Sequence, residues 1–193
     1  MNKKTFVLGI SGGSASGKST LSKLIYDRLT ANNKNCQCEI INSDKYYKKH
    51  LPQMISPLTG VSGDDWNSPE SIDFDLMYDY LNNKIKENIL NFIIIEGAFI
   101  FCYEQLRKML DLAVYVDLDS DIRMYRRIKR NMAVRGLTLE QVADYYTEYA
   151  KFSEQKNSLT SKIYADIIVN GNNFQKLALD MLVMYIESRT DNG

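Results

Sequence analysis

The run Gly12-Gly13-Ser14-Ala15-Ser16-Gly17-Lys18-Ser19 fits the spacing GxxxxGK[ST], and it is the narrowest constraint on how this chain can fold. Before it stand Phe6, Val7, Leu8, Gly9 and Ile10, a short apolar run rich in strand formers. After it come Leu21, Leu24, Ile25 and Leu29 at helical spacing, closed by Ala31-Asn32-Asn33. Strand, glycine-rich loop and helix in that order point backbone N–H groups inward at a helix N-terminus, which adds a partial positive charge. The result is a cradle for phosphate. In such a cradle Lys18 reaches the β- and γ-phosphates of a nucleotide, Ser19 holds Mg²⁺, and Thr20 extends the binding segment into the helix.

Four further apolar runs have the look of buried strands: Cys38 to Ile41, Phe92 to Ile95, Leu112 to Val116 and Ile167 to Val169. Strands alternating with helices predict an α/β fold of the P-loop NTPase type: a five-stranded parallel sheet, helices on both faces, ligands at the carboxyl ends of the strands. A chain of 193 residues fits one such domain over 1–193. Lys plus Arg equals Asp plus Glu at 24 each, so there is no cationic excess to hold a nucleic acid or an acidic membrane surface. Cys36, Cys38 and Cys102 are too few for a disulfide framework and read as reduced thiols. The leading stretch, with Lys3 and Lys4, has no cleavage-type site, and no segment approaches the roughly 20 apolar residues of a membrane span. A cytoplasmic protein is expected, with no membrane partner; homo-oligomerisation is allowed, and the stripe Val142, Tyr145, Tyr149 and Phe152 suits core or a subunit contact.

In a parallel sheet the polar residues just past each strand are the ones to examine. Asp44 follows the second strand, where it can take a proton from a substrate hydroxyl or cap a turn. Tyr46 and Tyr47 beside it can stack on a substrate ring or pack. Glu96 ends the run Ile93-Ile94-Ile95 and would orient the water shell of a metal, with Gly97 letting the chain turn close to the phosphates. Residues 48 to 70 hold all three prolines and read as a long loop, with His50 a solvated histidine; helical spacing returns with Leu76, Tyr80 and Leu81. Asp119 to Val134 reads as a helix with Arg123, Arg127 and Arg130 on one face, stopped by Gly136. Thr138-Leu139-Glu140-Gln141 then has capping-box form. An arginine helix ending at a Gly hinge, Arg135-Gly136, predicts a helical Arg-rich lid over about 123–157 that closes on the phosphates and excludes water. The guanine-reading Asn-Lys-x-Asp of switch GTPases is absent.

Taken together, the phosphate loop, the Asp44 to Tyr47 segment, Ser68-Pro69-Glu70-Ser71-Ile72-Asp73, Glu96-Gly97, the arginine helix and Tyr164-Ala165-Asp166-Ile167-Ile168-Val169 resemble the uridine kinase family of P-loop kinases over most of the chain. The resemblance implies phosphoryl transfer from ATP, with Mg²⁺, to the 5′-hydroxyl of a ribonucleoside such as uridine or cytidine. By position Asp44 matches the family's catalytic base, Arg127 a ribose contact, Arg130 and Arg135 the lid residues on the phosphates, and Tyr47 an aromatic of the substrate pocket.

Three departures bear on the acceptor. Where the family reads aromatic-Asp-His-Pro-Asp, this chain has Trp66-Asn67-Ser68-Pro69-Glu70, so a ribose-gripping carboxylate is replaced by the amide Asn67. The lid's Arg-Gly-Arg appears as Arg135-Gly136-Leu137. Only Asn82 to Asn91 separates the post-proline helix from the Glu-Gly strand, too little for the family's base-reading hairpin. Trp66 can stack on a pyrimidine or on another ring, which keeps three readings open: a nucleoside kinase; a kinase of nicotinamide riboside, pantothenate or another alcohol; and a nucleotide-binding regulatory protein without transfer.

Overall fold

A computed structural model of the protein describes residues 5–32 and 36–190; Lys3, Lys4 and Asn33 of the segments above lie outside them. Strand β1 (Phe6–Ser11) is buried at every position and runs directly into the glycine-rich loop, from which helix α1 (Lys18–Asn32) starts. Then follow β2 (Cys38–Asn42), a short hairpin of β3 (Gln53–Ile55) and β4 (Ser62–Asp64), α2 (Phe74–Glu87) and β5 (Phe92–Glu96). The second half comprises α3 (Glu104–Arg107), β6 (Leu112–Asp117), α4 (Ser120–Arg135), α5 (Leu139–Tyr145), a π-helical turn (Tyr146–Ala150), α6 (Lys151–Lys156), β7 (Ile167–Asn170) and α7 (Lys176–Thr190).

All five predicted strands form one parallel sheet in the order β2-β5-β1-β6-β7. Because side chains alternate along a strand, β1 divides its residues between two faces. Phe6, Leu8 and Ile10 pack with Ile94 and Val114 beneath α1 and α7, against Leu21, Ile25, Leu182 and Val183. Val7, with Ile93, Ile95 and Tyr115, packs against Met77 and Leu81 of α2 and against Phe101 and Leu106. Both faces are covered, which explains why the strands read as continuous apolar runs. Strand β1 lies between β5 and β6, so the chain leaves its carboxyl end at the switch point where ligands of such sheets bind.

Two expectations need correction. The helix after the prolines forms and Leu81 is buried as expected, but Leu76 and Tyr80 are 59% and 37% exposed, and Met77 is the core partner of Leu81. Residues 48 to 70 are not a plain loop, since β3 and β4 pair antiparallel, Gln53 with Asp64 and Ile55 with Ser62. Strands of three residues leave no periodic trace in a sequence; tertiary bonds hold this hairpin. The Tyr149 hydroxyl donates to the Val61 carbonyl (3.2 Å), the Tyr145 hydroxyl donates to the Asp64 carbonyl (3.0 Å), and Gly63 packs so close to Tyr149 that a Cβ there would lie 3.0 Å from its Cζ. The predicted helices on either side of Gly136 are present. Helix α4 stops at Gly136, whose left-handed φ of 66° suits a residue without a Cβ, and Thr138 and Gln141 make both bonds of the capping box at the start of α5. Between α2 and β5 stand only residues 88–91, with no room for an inserted hairpin.

The loop is pinned from behind by the far half of the sheet. The Gly171 N–H donates to the Asp117 carbonyl (2.8 Å), and a Cβ on Gly171 would run into the Ser16 carbonyl oxygen and come within 2.8 Å of Val116 Cγ1. Backbone cannot yield as a side-chain tip can. Gly171→Ala is therefore expected to cost about 1–3 kcal/mol, read as a lower urea midpoint at unchanged slope; an unchanged midpoint would contradict this packing.

Candidate active site

Left-handed backbone at Ala15 (φ 63°) and Gly17 (φ 109°) curls the loop so that it closes on itself, with the Lys18 ammonium donating to the Gly13 carbonyl at 3.0 Å. Beneath the loop the parallel register sets Asn42 and Ile10 on either side of Glu96. The buried Glu96 carboxylate accepts from the Ser19 hydroxyl (2.7 Å) and from the Asn42 side-chain amide (2.9 Å). Burial pushes the Glu96 carboxyl above its ordinary range, opposed by the Ser19 bond and by Lys18. Burial likewise lowers Lys18, opposed by the charges of Glu96 and Asp44. Hydroxyl and carboxylate side by side at the helix start are a hard-oxygen donor pair, the chemistry Mg²⁺ prefers when phosphates complete its shell. Among the described residues no group of three or more His, Cys, Asp or Glu is arranged to hold a metal alone, so a bound ion would depend on its ligand's oxygens.

The loop opens onto a cleft of about 670 Å³. Of the residues expected at the site, Ser14, Ala15, Gly17, Lys18, Ser19 and Thr20 line one end, Asp44, Tyr47, Trp66 and Asn67 line another wall, and Arg127, Arg130, Arg135 and Glu96 complete it. Gly12, Gly13 and Ser16 are buried positions of the same loop, with the Ser16 N–H donating to the Gly13 carbonyl at 3.1 Å. Gly12 is pressed on the Val116 carbonyl and the Ser16 hydroxyl, and Gly13 on Arg123 and Glu154.

Asp44 sits in a short 3₁₀ turn (Ser43–Tyr46) beyond β2. The sequence left open whether its carboxylate caps that turn. Asn42 does so, its side-chain oxygen accepting the Asp44 N–H at 2.7 Å, which leaves the Asp44 carboxylate exposed to the cleft. Tyr47 and Tyr46 part company. Tyr47 meets the Trp66 ring edge-on at 5.3 Å and donates to the Trp66 carbonyl (2.9 Å), whereas Tyr46 packs towards Tyr80. Trp66 keeps 42% of its surface exposed, so an aromatic wall faces the cleft.

The arginine face of α4 is divided by its neighbours. Arg123 is only 4% exposed and bonds Glu154 of α6 at 2.5 Å and the Leu118 carbonyl at 2.9 Å. Burial alone would lower its pKa, but the Glu154 carboxylate outweighs it and the net shift is upward. Arg123 is therefore a structural cation, not one of the arginines reaching over the phosphate loop. Arg126 also lines the cleft, where it donates to the Gly171 carbonyl and the Asn172 side-chain oxygen (2.9 and 3.2 Å). Arg130 reaches the Ser14 hydroxyl at 3.4 Å, and both Arg127 guanidinium Nη atoms lie 3.4 Å from the Asn67 side-chain oxygen. Burial lowers Arg127 and Arg130, the latter also through the like charge of Arg135.

Sequence reasoning missed Glu154, which ties α6 to both Arg123 and the Ser14 N–H (2.9 Å), because nothing local in Lys151–Lys156 marks it. It also missed Asn172 and Phe174, although the rule of looking just past each strand applies to β7 as to the others. Phe174 covers Gly17, a Cβ on which would lie 3.1 Å from the ring.

The sheet order and the strand–loop–helix at its switch point define a P-loop NTPase fold. A solved structure from Silicibacter sp. TM1040, described as a fructose transport system kinase, shares it with TM-score 0.60 at 16% identity, over 86% of this chain and 90% of that one. The sequence profile of the Phosphoribulokinase / Uridine kinase family matches residues 7–89 and 83–178, and the chain belongs to that family of kinases. It is 32% identical to a uridine kinase of Anoxybacillus flavithermus, over 97% of this chain and 96% of the relative. A uridine kinase of Limosilactobacillus reuteri is 33% identical over 94% and 90%.

The Arg123–Glu154 pair is inaccessible from both sides, at 4% and 7% side-chain exposure. Neutralising one partner strands the other charge away from water. Glu154→Gln is expected to lose about 3–5 kcal/mol of stability, read as a fall in Tm, and an unchanged Tm would mean that Arg123 does not depend on this carboxylate.

Proposed function

We propose that this chain transfers the γ-phosphoryl group of ATP to the 5′-hydroxyl of a ribonucleoside, uridine or cytidine, in the cytoplasm. The observation that carries the reading is the sharing of one cleft by the closed lysine loop, the exposed Asp44 carboxylate and the Tyr47–Trp66 wall. The names of the relatives agree with it. Residues Ser14 to Thr20 would hold the triphosphate, with Lys18 on the β- and γ-phosphates. Ser19 and Glu96 would hold Mg²⁺, which when bound neutralises phosphate charge. Asp44 would accept the proton of the attacking hydroxyl, and Tyr47 and Trp66 would seat the base. Helices α4 to α6 form the lid, roughly 123–157, and bring Arg130 and Arg135 onto the charge that develops during transfer.

A second reading keeps this chemistry and changes the acceptor to nicotinamide riboside or another alcohol. It is favoured by the four-residue connection between α2 and β5, which leaves no hairpin to read a pyrimidine edge. ADP release measured with ATP and Mg²⁺ across uridine, cytidine, nicotinamide riboside and pantothenate tells the readings apart. The expected result is uridine- or cytidine-dependent turnover that Asp44→Asn lowers by about 10²–10⁴-fold while ATP binding persists. Turnover with nicotinamide riboside or pantothenate alone would move the acceptor; ATP binding without acceptor-stimulated release would leave the regulatory reading.

A further inference from the structure

Arg127 is a buried cation without a counter-ion. Only 8% exposed, it forms no ion pair among the described residues, whereas Arg123, one turn earlier on α4, meets the Glu154 carboxylate at 2.5 Å. Both Arg127 Nη atoms face the Asn67 side-chain oxygen, but at 3.4 Å, long for a charged donor, and that oxygen belongs to an amide. The Arg127 Nε, buried as well, has no hydrogen-bond partner. Charges removed from water are normally paired, because a lone one keeps the cost of desolvation without the return of a counter-charge. The direction of the pKa shifts agrees: burial lowers Arg127 in spite of the Glu154 charge, while the bonded Arg123 is raised.

The surroundings hold this guanidinium on the acceptor side of the cleft. Its Cζ lies 5.8 and 5.9 Å from the Tyr145 and Tyr146 rings, and the Asn67 amide nitrogen donates to the Tyr145 hydroxyl at 2.9 Å, which keeps the amide oxygen turned to Arg127. The carboxylates among the residues lining the cleft have other tasks. Glu96 is bonded to Ser19 and Asn42, Glu154 to Arg123 and Ser14, and Asp44 is assigned by the proposed reaction to the attacking hydroxyl. Nor do the phosphates of a nucleotide fall to Arg127: they belong to the loop end, where Arg130 reaches Ser14, while Arg127 is turned to the strip carrying Trp66 and Asn67. Ser158 also presents a buried hydroxyl without a partner on this cleft, but a hydroxyl donates or accepts and does not set the sign of a ligand. A guanidinium only donates and is always charged, so Arg127 does.

We infer that the acceptor supplies the missing charge: a ribonucleoside whose ring carries a carboxylate pairs with Arg127 and is preferred to its neutral counterpart. The inference rests on the nucleoside-kinase reading above. It is tested by kcat/KM at saturating ATP and Mg²⁺ for two pairs, orotidine against uridine and nicotinate riboside against nicotinamide riboside. The carboxylate stands beside the glycosidic bond in the first pair and further round the ring in the second. In at least one pair the acid is expected to be favoured by about tenfold or more, the difference between a charge-assisted and a neutral hydrogen bond. Asn67→Asp, which gives Arg127 a carboxylate from the protein itself, is expected to abolish that preference, and so is Arg127→Gln, which removes the cation. A preference below about tenfold in both pairs, with uridine or nicotinamide riboside turned over, overturns the inference and leaves the nucleoside reading intact. A preference for the acid that survives in either variant overturns the assignment to Arg127. If none of the four nucleosides is turned over although ATP binds, the nucleoside reading falls and the inference with it.

Discussion

One buried carboxylate joins the elements on which the cleft depends. Glu96 ends the central strand pair, accepts from Ser19 at the start of α1 and from Asn42 at the end of β2, and lies close enough to Lys18 to raise that ammonium's pKa against the pull of burial. The arrangement follows from parallel register: β5 is flanked by β1 and β2, and Glu96 faces Ile10 on one side and Asn42 on the other. A slip of one residue would turn Glu96 to the opposite face of the sheet and separate it from Ser19. Since β1 and β5 are apolar on both faces, it is Glu96 with its bonds to Ser19 and Asn42 that distinguishes this register, so the hydrophobic core and the polar floor of the cleft meet at one residue.

How much of this is readable in the sequence depends on the range of the interaction. Strand, loop and helix around Lys18 are local, and so are the capping box at Thr138 and the stop at Gly136; each leaves a pattern within a few residues and each forms as read. The β3–β4 hairpin is held by Tyr145 and Tyr149, more than eighty residues away, and has no local signature. Arg123 illustrates the same limit from the other side. Helical spacing correctly sets it on a face with Arg127 and Arg130, but only the fold brings Glu154 against it and removes it from the cleft. On α2 the reading holds at Leu81 but not at Leu76, because the face packed on Ile93, Ile95 and Phe101 is the one that carries Met77 and Leu81.

The helical arm from α4 to α6 is not a loose appendage. Arg123 and Glu154 join α4 to α6, Glu154 takes the Ser14 N–H of the phosphate loop, and Tyr145 and Ser153 grip the Trp66–Asn67 strip. The arm therefore touches the glycine-rich loop and the Trp66–Asn67 strip through separate residues. In the proposed reaction, a lid tied to both places would couple acceptor binding to arginine delivery.

The central claim, that a nucleotide and an alcohol meet in this cleft with Asp44 between them, is tested most directly by a crystal structure with a non-hydrolysable ATP analogue, Mg²⁺ and uridine. The account predicts the triphosphate wrapped by residues Ser14 to Thr20 and the uridine 5′-oxygen about 2.6–3.2 Å from the Asp44 carboxylate, as a general base requires. A nucleoside bound elsewhere, or one whose 5′-oxygen points away from Asp44 and the terminal phosphate, would contradict it.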